Sequence, residues 1–394
     1  MKRKILLGLM IVALLATMTS CTTYNNFMAS IQKDKSEDTL RIGVFEPLSG
    51  PDAEFGKLEL AGIELARSVY PQILGKTVEL IIEDNRADPD YAEVASNNLV
   101  KKRVSMVLGS YGSSNSMIGG VIFEKAKIPA IGITCTNPLV TSINTYYFRV
   151  CFIDTFQGIT MAKYAVNAIG AKKAAIIEDN ENDFSATIAQ VFSEKFVSLT
   201  GDDEAIVSTT KYNEGDQDFN NQLKAIKAAS PDVIFIPGNV AEAGLIIKQA
   251  KEAGINAVFL GINTWEDQKL IELAGDSANG VTFAAIFDPS AILTEQTQVF
   301  LDAYKTKYGK DAVPTREEAL GFDAYLVAVD AITRAGSALN GELLMTTLLK
   351  TTQLPGVTGD ITFDPNKDAI KPVIIKTIQN GEFVYKTTIV PVWE

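Results

Sequence analysis

From Leu40 onward the chain alternates short, doubly apolar runs with amphipathic helical stretches, and few folds accept that pattern. The runs at 40–45, 77–83, 104–108, 130–134, 174–178, 233–237, 257–260 and 281–287 are rich in Val and Ile. They are mostly apolar on both faces, as parallel strands covered by helices on each side must be. Helices are predicted between them over 55–69, 91–102, 114–127, 156–169, 219–229 and 241–253, and later over 294–307, 316–335 and 341–351. Many stop on a glycine or lysine cue, as at Lys127 before Pro129 or at Ala253-Gly254, where the next strand begins. Repeated βαβ units imply right-handed crossovers and helices on both faces of a parallel sheet. The expected class is α/β, doubly wound.

The first residues address the question of place. Lys2, Arg3 and Lys4 precede an apolar run over 5–16, and Met18-Thr19-Ser20-Cys21 follows. A basic start, a short apolar stretch and small residues before a cut make a secretory signal peptide over 1–20. The run is too short for a bilayer span of ~20 residues. A cysteine directly after the small residues resembles the lipobox of bacterial lipoproteins, with Cys21 as the lipidated first residue and Met18 where Leu is usual. Residues 21–39 would then be a lipidated cysteine and polar tether. A secreted protein with an incidental cysteine is the alternative.

Charge and residue usage remove whole classes of function. The chain has 36 basic and 48 acidic residues, and without Lys2, Arg3 and Lys4 the body carries a net −15. Nucleic acid needs a basic footprint, so no nucleic-acid partner is expected. Anionic lipid would repel such a body too, leaving the lipid on Cys21 to do any anchoring to a membrane. The sequence holds no histidine, which removes Ser-His-Asp and Cys-His catalysis and His-ligated zinc. No cofactor or metal is expected, and an enzyme is disfavoured. Cys135 and Cys151 are the remaining thiols; free thiols are expected, with a disulfide as the alternative in an oxidising compartment.

In doubly wound sheets, ligands bind beyond the C-terminal strand ends. The loop 109–116 after the run 104–108 reads Gly-Ser-Tyr-Gly-Ser-Ser-Asn-Ser, with Ser113 or Ser114 placed to begin a helix. A helix start offers free N–H groups and partial positive charge to a carboxylate, although serine there is more often a plain cap. The spacing is neither a dinucleotide fingerprint nor a P-loop. The next run ends in Ile133-Thr134-Cys135-Thr136-Asn137-Pro138, so two consecutive strand ends bring hydroxyls to one small area.

Further landmarks keep a fixed order along the chain. They are Pro47-Leu48-Ser49-Gly50-Pro51 with Phe55-Gly56, Asp84 to Pro89, Gly109 to Ser114, and Thr134 to Pro138. Arg149 with Asp154 and Gln157-Gly158, then Phe322-Asp323-Ala324 and Gly359 to Asp364, complete the series. Together they resemble the leucine/isoleucine/valine-binding class of ABC-transporter substrate-binding proteins, which have the type I periplasmic binding fold. That resemblance implies two doubly wound parallel-sheet lobes joined by three crossover segments, with a ligand cleft between them. It places 40–154 plus 284–356 in lobe 1 and 155–283 plus 357–394 in lobe 2.

The resemblance also assigns roles. Ser113, Thr134 and Thr136, with Cys135 between the threonines, would hold the α-carboxylate of an amino acid. Phe55 and Phe184 would cover the ligand from the two lobes, and Asn239 and Asn263 would face it. Apart from the resemblance, Phe55 and Phe184 read as ordinary core or staple residues. The acid usual after the run 257–260 is Asn263 here, which accepts a hydrogen bond but cannot neutralise an ammonium. Asp154 is the leading remaining acid, with a helix cap as its alternative role, and Glu266 is second. Trp265 would stack on the ligand or plug the lobe. The expectation is a monomeric, lipid-anchored protein on the outer side of a bacterial membrane. It would carry a small solute, an aliphatic or branched amino acid first, to an ABC permease by hinge closure. A sensory ligand-binding protein, or a binder of a small organic acid or amide, is the alternative.

Overall fold

The computed structural model describes residues 38–390 of the 394-residue chain. The proposed signal peptide and Cys21 lie outside the described residues. Six strands form the first sheet: β1 (Thr39–Glu46), β2 (Gln72–Ile73), β3 (Lys76–Asp84), β4 (Met106–Leu108), β5 (Ala130–Gly132) and β6 (Tyr147–Arg149). Their order is β2-β3-β1-β4-β5-β6, and every pair is parallel except the short β2–β3 hairpin. Ile42, Val44, Met106, Leu108 and Ile131 on one face and Phe45, Val107 and Ala130 on the other have no exposed surface, which is why this sheet reads as apolar on both faces.

The second sheet begins with β7 (Ala174–Asp179), β8 (Ile206–Tyr212), β9 (Val233–Phe235), β10 (Val258–Gly261) and β11 (Thr282–Ala285). After a small three-stranded sheet of β12 (Leu354–Gly356), β13 (Gly359–Phe363) and β14 (Ala369–Ile370), the chain adds β15 (Val373–Gln379) and β16 (Glu382–Ile389). The order is β16-β15-β11-β10-β9-β7-β8, with β15 and β16 antiparallel to their neighbours. β8 is an edge strand, and β16 closes the opposite edge.

The chain passes between the sheets three times. It leaves β6 through 150–153, returns after β11, and crosses again at 371–372. The helices Glu295–Tyr308 and Arg316–Ala335 pack on the first lobe against the helix Ala53–Val69. Two glycines permit that contact: a Cβ on Gly62 would lie 2.0 Å from the Glu318 carbonyl oxygen, and one on Gly321 would lie 2.2 Å from that of Glu59. The segment 357–370, expected in lobe 2, lies instead against lobe 1. Phe363 packs on Phe148 with centroids 5.1 Å apart, Thr297 donates to the Val357 carbonyl at 2.8 Å, and Asp368 pairs with Arg149. The third crossing is pinned by Lys371, whose buried ammonium reaches the Val150 carbonyl at 2.9 Å and Asp323 at 3.5 Å.

Candidate functional site

β4 and β5 end side by side, and their loops are stitched together. Gly112 N–H donates to the Thr134 carbonyl at 2.9 Å, and Asn137 N–H donates to Ser113 Oγ at 3.2 Å. Ser113 is the first residue of the helix Ser113–Ala126; the cap position belongs to Gly112, which makes no side-chain cap bond. The serine hydroxyl therefore serves the neighbouring loop, and no side chain of the cap residue closes off the helix start. Thr134 Oγ1 is buried without a hydrogen-bond partner at bonding geometry and faces the Glu59 carboxyl. Cys135 departs from expectation. Its thiol turns into the core with Phe45, Val140 and Tyr147, so its side chain is packing, and Cys135 and Cys151 are both free and buried.

Thr136 faces Asp154, which opens the helix Asp154–Tyr164. Ile153 holds the cap position and Asp154 makes no cap bond, so the capping alternative is not what this carboxyl does. Burial raises the Asp154 pKa to about 6, against the opposing pull of Thr136 and Arg149. Arg149 is wholly buried and organises the loop beneath: Nη1 donates to the carbonyls of Cys135 at 2.5 Å and Asn137 at 2.8 Å, and Nη2 to Thr141 at 2.7 Å.

From the other side, Phe55 stacks on Tyr111 with centroids 4.8 Å apart. Phe184 is partly buried against the core, its N–H held by the Asn182 side chain at 3.0 Å. Asn239 is exposed at the start of the helix Val240–Glu252 and makes no cap bond. Asn263 is buried; its N–H donates to Gln157 Oε1 at 2.9 Å and its carbonyl accepts from Arg316 at 3.1 Å. Trp265 has no exposed surface and packs on Gly261, so it plugs the lobe. Glu266 is paired with Lys376, which weakens its claim as the ammonium partner.

Five residues outside the sequence-derived set shape the same region: Glu46, Glu59, Tyr111, Arg316 and Glu317. Glu46 and Glu59 are wholly buried neighbours beneath the Thr134 loop. Burial pushes the Glu46 pKa to about 8, and burial together with Glu46 holds Glu59 well above the usual carboxylate range. Tyr111 N–H donates to Glu46 at 2.7 Å. Residues of both lobes, among them Phe55, Arg316, Glu266 and Phe287, line a cavity of about 390 Å³. A sequence cue existed for one correction: alternation beyond a strand puts Thr134 and Thr136 on one side and Cys135 on the other.

Two parallel-dominated lobes, with strand ends facing a shared cleft, define a type I periplasmic binding protein. A family model described as periplasmic binding protein matches residues 39–382, and the chain belongs to that family. It is 27% identical over 338 residues to the leucine-, isoleucine-, valine-, threonine-, and alanine-binding protein of Pseudomonas aeruginosa, covering 84% of this chain and 87% of the relative. A solved leucine-binding protein from Thermotoga maritima is 35% identical with a TM-score of 0.72, over 89% of this chain and 99% of the other. The branched-chain amino acid transporter substrate-binding protein of Streptococcus pneumoniae, solved with isoleucine, is 29% identical with a TM-score of 0.70, over 90% and 100%. No helix among the described residues is long and apolar enough to cross a membrane.

Proposed function

We propose that this chain is the solute-capturing subunit of an ABC importer, lipid-anchored through Cys21 outside the cytoplasmic membrane and working as a monomer. Its ligand is an amino acid, with an aliphatic or branched side chain as the first choice. The carboxylate sits at the start of the helix Ser113–Ala126 among the hydroxyls of Ser113, Thr134 and Thr136. The observation that carries the reading is the buried Asp154 carboxyl facing Thr136, an acid next to the carboxylate seat with no lysine or arginine among the described residues paired to it at ion-pair distance. A ligand ammonium would supply the missing charge, because an unpaired buried ion is expensive. Phe55, Phe184, Asn239 and Asn263 complete the enclosure when the lobes close about the three crossings. The relatives named for leucine and branched-chain amino acids support this choice.

A second reading has its own support. The loop after β10 offers Asn263 in place of an acid, and Glu266 is already committed to Lys376. A ligand without an amine, such as a small organic acid or amide, suits that side of the cleft. The deciding experiment is thermal unfolding of the purified protein against the twenty amino acids, small organic acids and amides at millimolar concentration. A solute at ~1,000 times its Kd stabilises the folded form by roughly 4 kcal/mol. A rise in Tm with leucine, isoleucine or valine supports the first reading. A response confined to acids or amides rejects it. Cys21→Ser tests the anchor: the variant should leave the membrane fraction, and a variant that stays there would defeat the lipoprotein assignment.

A further inference from the structure

The lobes meet through side chains as well as through the crossings. Arg316, the first residue of the helix Arg316–Ala335 on lobe 1, donates from Nη1 to the Asn263 carbonyl of lobe 2 at 3.1 Å. Glu317 holds its Nε at 2.6 Å. Glu266, beyond Asn263, pairs with Lys376, and Lys376 also reaches Asp288 at 3.1 Å. Charges of alternating sign thus run across the seam in the order Glu317, Arg316, Glu266, Lys376, Asp288. Burial alone would lower the Arg316 pKa, yet Glu317, Glu266 and Tyr111 hold it above its ordinary value. The Asn263 N–H is fixed by Gln157 of its own side, so its carbonyl is presented to Arg316 in a set direction. The whole row borders the interlobe cavity of about 390 Å³.

We propose that Arg316 is an electrostatic latch between the lobes, holding the Asn263 loop against lobe 1 and so setting how readily the cleft closes on its solute. The Arg316 side chain is 23% exposed. Salt therefore reaches the latch, and closure depends on ionic strength. The proposal rests on the closing-cleft reading of function, but its test needs no solute. Arg316→Gln also takes the ion-pair partner from the buried Glu317, so Arg316→Lys, which keeps the charge, is compared beside it.

The test is hydrogen–deuterium exchange of the full chain without added solute, as wild type, Arg316→Gln and Arg316→Lys, at 0.05 and 0.5 M NaCl. At low salt, Arg316→Gln is expected to raise exchange over 262–266 and 313–318 about fivefold or more. The core strand Ala174–Asp179 should stay protected. Wild type should approach the Arg316→Gln level at high salt, Arg316→Lys should fall between, and Arg316→Gln should ignore salt. Equal exchange in wild type and Arg316→Gln at both salts overturns the latch. Should Arg316→Gln lose protection everywhere, the wild-type salt series decides: no salt response over 262–266 and 313–318 overturns the proposal. The expected exchange pattern beside a solute panel that stays silent would uphold the latch and remove the solute assignment.

Discussion

Arg149 and Asp368 meet at 2.7 Å between Nε and Oδ1, with the guanidinium wholly buried, and that pair ties the Thr136 loop to the segment before the third crossing. Asp368 is pushed up by burial and drawn back by Arg149. Replacing Arg149 by Met keeps the volume and leaves a buried carboxyl without its partner. Removing one member of a buried pair costs roughly 3–5 kcal/mol. Arg149→Met should therefore lower the unfolding free energy measured in urea by that amount and weaken solute binding, since the carbonyls of Cys135 and Asn137 lose the donor that places them. A stability loss below ~1 kcal/mol would show that the pair holds nothing together.

Asp154 gives a pH dependence with a defined sign. Its folded pKa of about 6 lies above the ordinary carboxylate value, so the folded state keeps a proton that the unfolded chain has released. Its contribution to stability is full below about pH 4 and is lost as pH rises to about 6, by at most ~3 kcal/mol. Binding runs the other way. An ammonium needs the ionised carboxylate, so affinity for an amino acid should tighten up to tenfold per pH unit between about 5 and 6 and level off above. Calorimetric titration across that range checks it; Asp154→Asn should bind ~10–100-fold more weakly and without the slope. An unchanged slope in Asp154→Asn would put the proton elsewhere.

What the sequence disclosed follows from what is local. Strands buried on both faces declare themselves as apolar runs: β4, β5, β9 and β11 fall inside the predicted ones, and β1, β3, β7 and β10 match theirs to within one residue at either end. β8 escaped because it is an edge strand whose Ile206–Lys211 stretch is half exposed and mixes Ser, Thr and Lys with Ile and Val. β16 escaped for a similar reason, being half-exposed along most of its length, whereas β15 is buried up to Gln379 and escaped because Lys376 and Thr377 interrupt its apolar run. Ser113, Thr134, Thr136 and Asp154 were legible because each sits at the end of a strand or the start of a helix. Arg316 was not, since only long-range packing brings it to Asn263, 53 residues earlier. Glu46 and Glu59 carry no motif or spacing cue, and only the tertiary fold buries both.

That carboxyl pair predicts an alkaline weakness. With Glu46 raised to about 8 and Glu59 raised well above its ordinary value, the pair is largely protonated at neutral pH when folded and ionised when unfolded. Stability from these groups is complete below about pH 4.5 and declines as pH climbs toward 8. Glu46→Gln keeps an oxygen to accept the Tyr111 N–H and has no proton to lose. Its Tm relative to wild type should therefore improve steadily from pH 5 to pH 8. A Tm difference that does not change with pH would mean that Glu46 titrates as an ordinary exposed acid.

A close approach of two helix backbones in lobe 1 supplies a test of the fold itself. A methyl on Gly62 would stand 2.0 Å from the Glu318 carbonyl oxygen, which belongs to a helix backbone and cannot step aside as a side chain would. Overpacking of a core commonly costs 1–3 kcal/mol, and here the two helices must separate to admit the new carbon. Gly62→Ala should therefore cost about 3 kcal/mol or more. Because the helix Arg316–Ala335 carries Arg316 at its start, the same shift should loosen the contact with Asn263. Urea unfolding of Gly62→Ala, beside Gly75→Ala as a control with no atom within 4 Å of its Cβ, separates the crowding from the ordinary cost of losing a glycine. Gly75 has a φ of +75°, so the control carries backbone strain of its own, of order 1 kcal/mol. A Gly62→Ala cost no greater than that of the control would mean that the two helices do not touch as closely as their glycines allow.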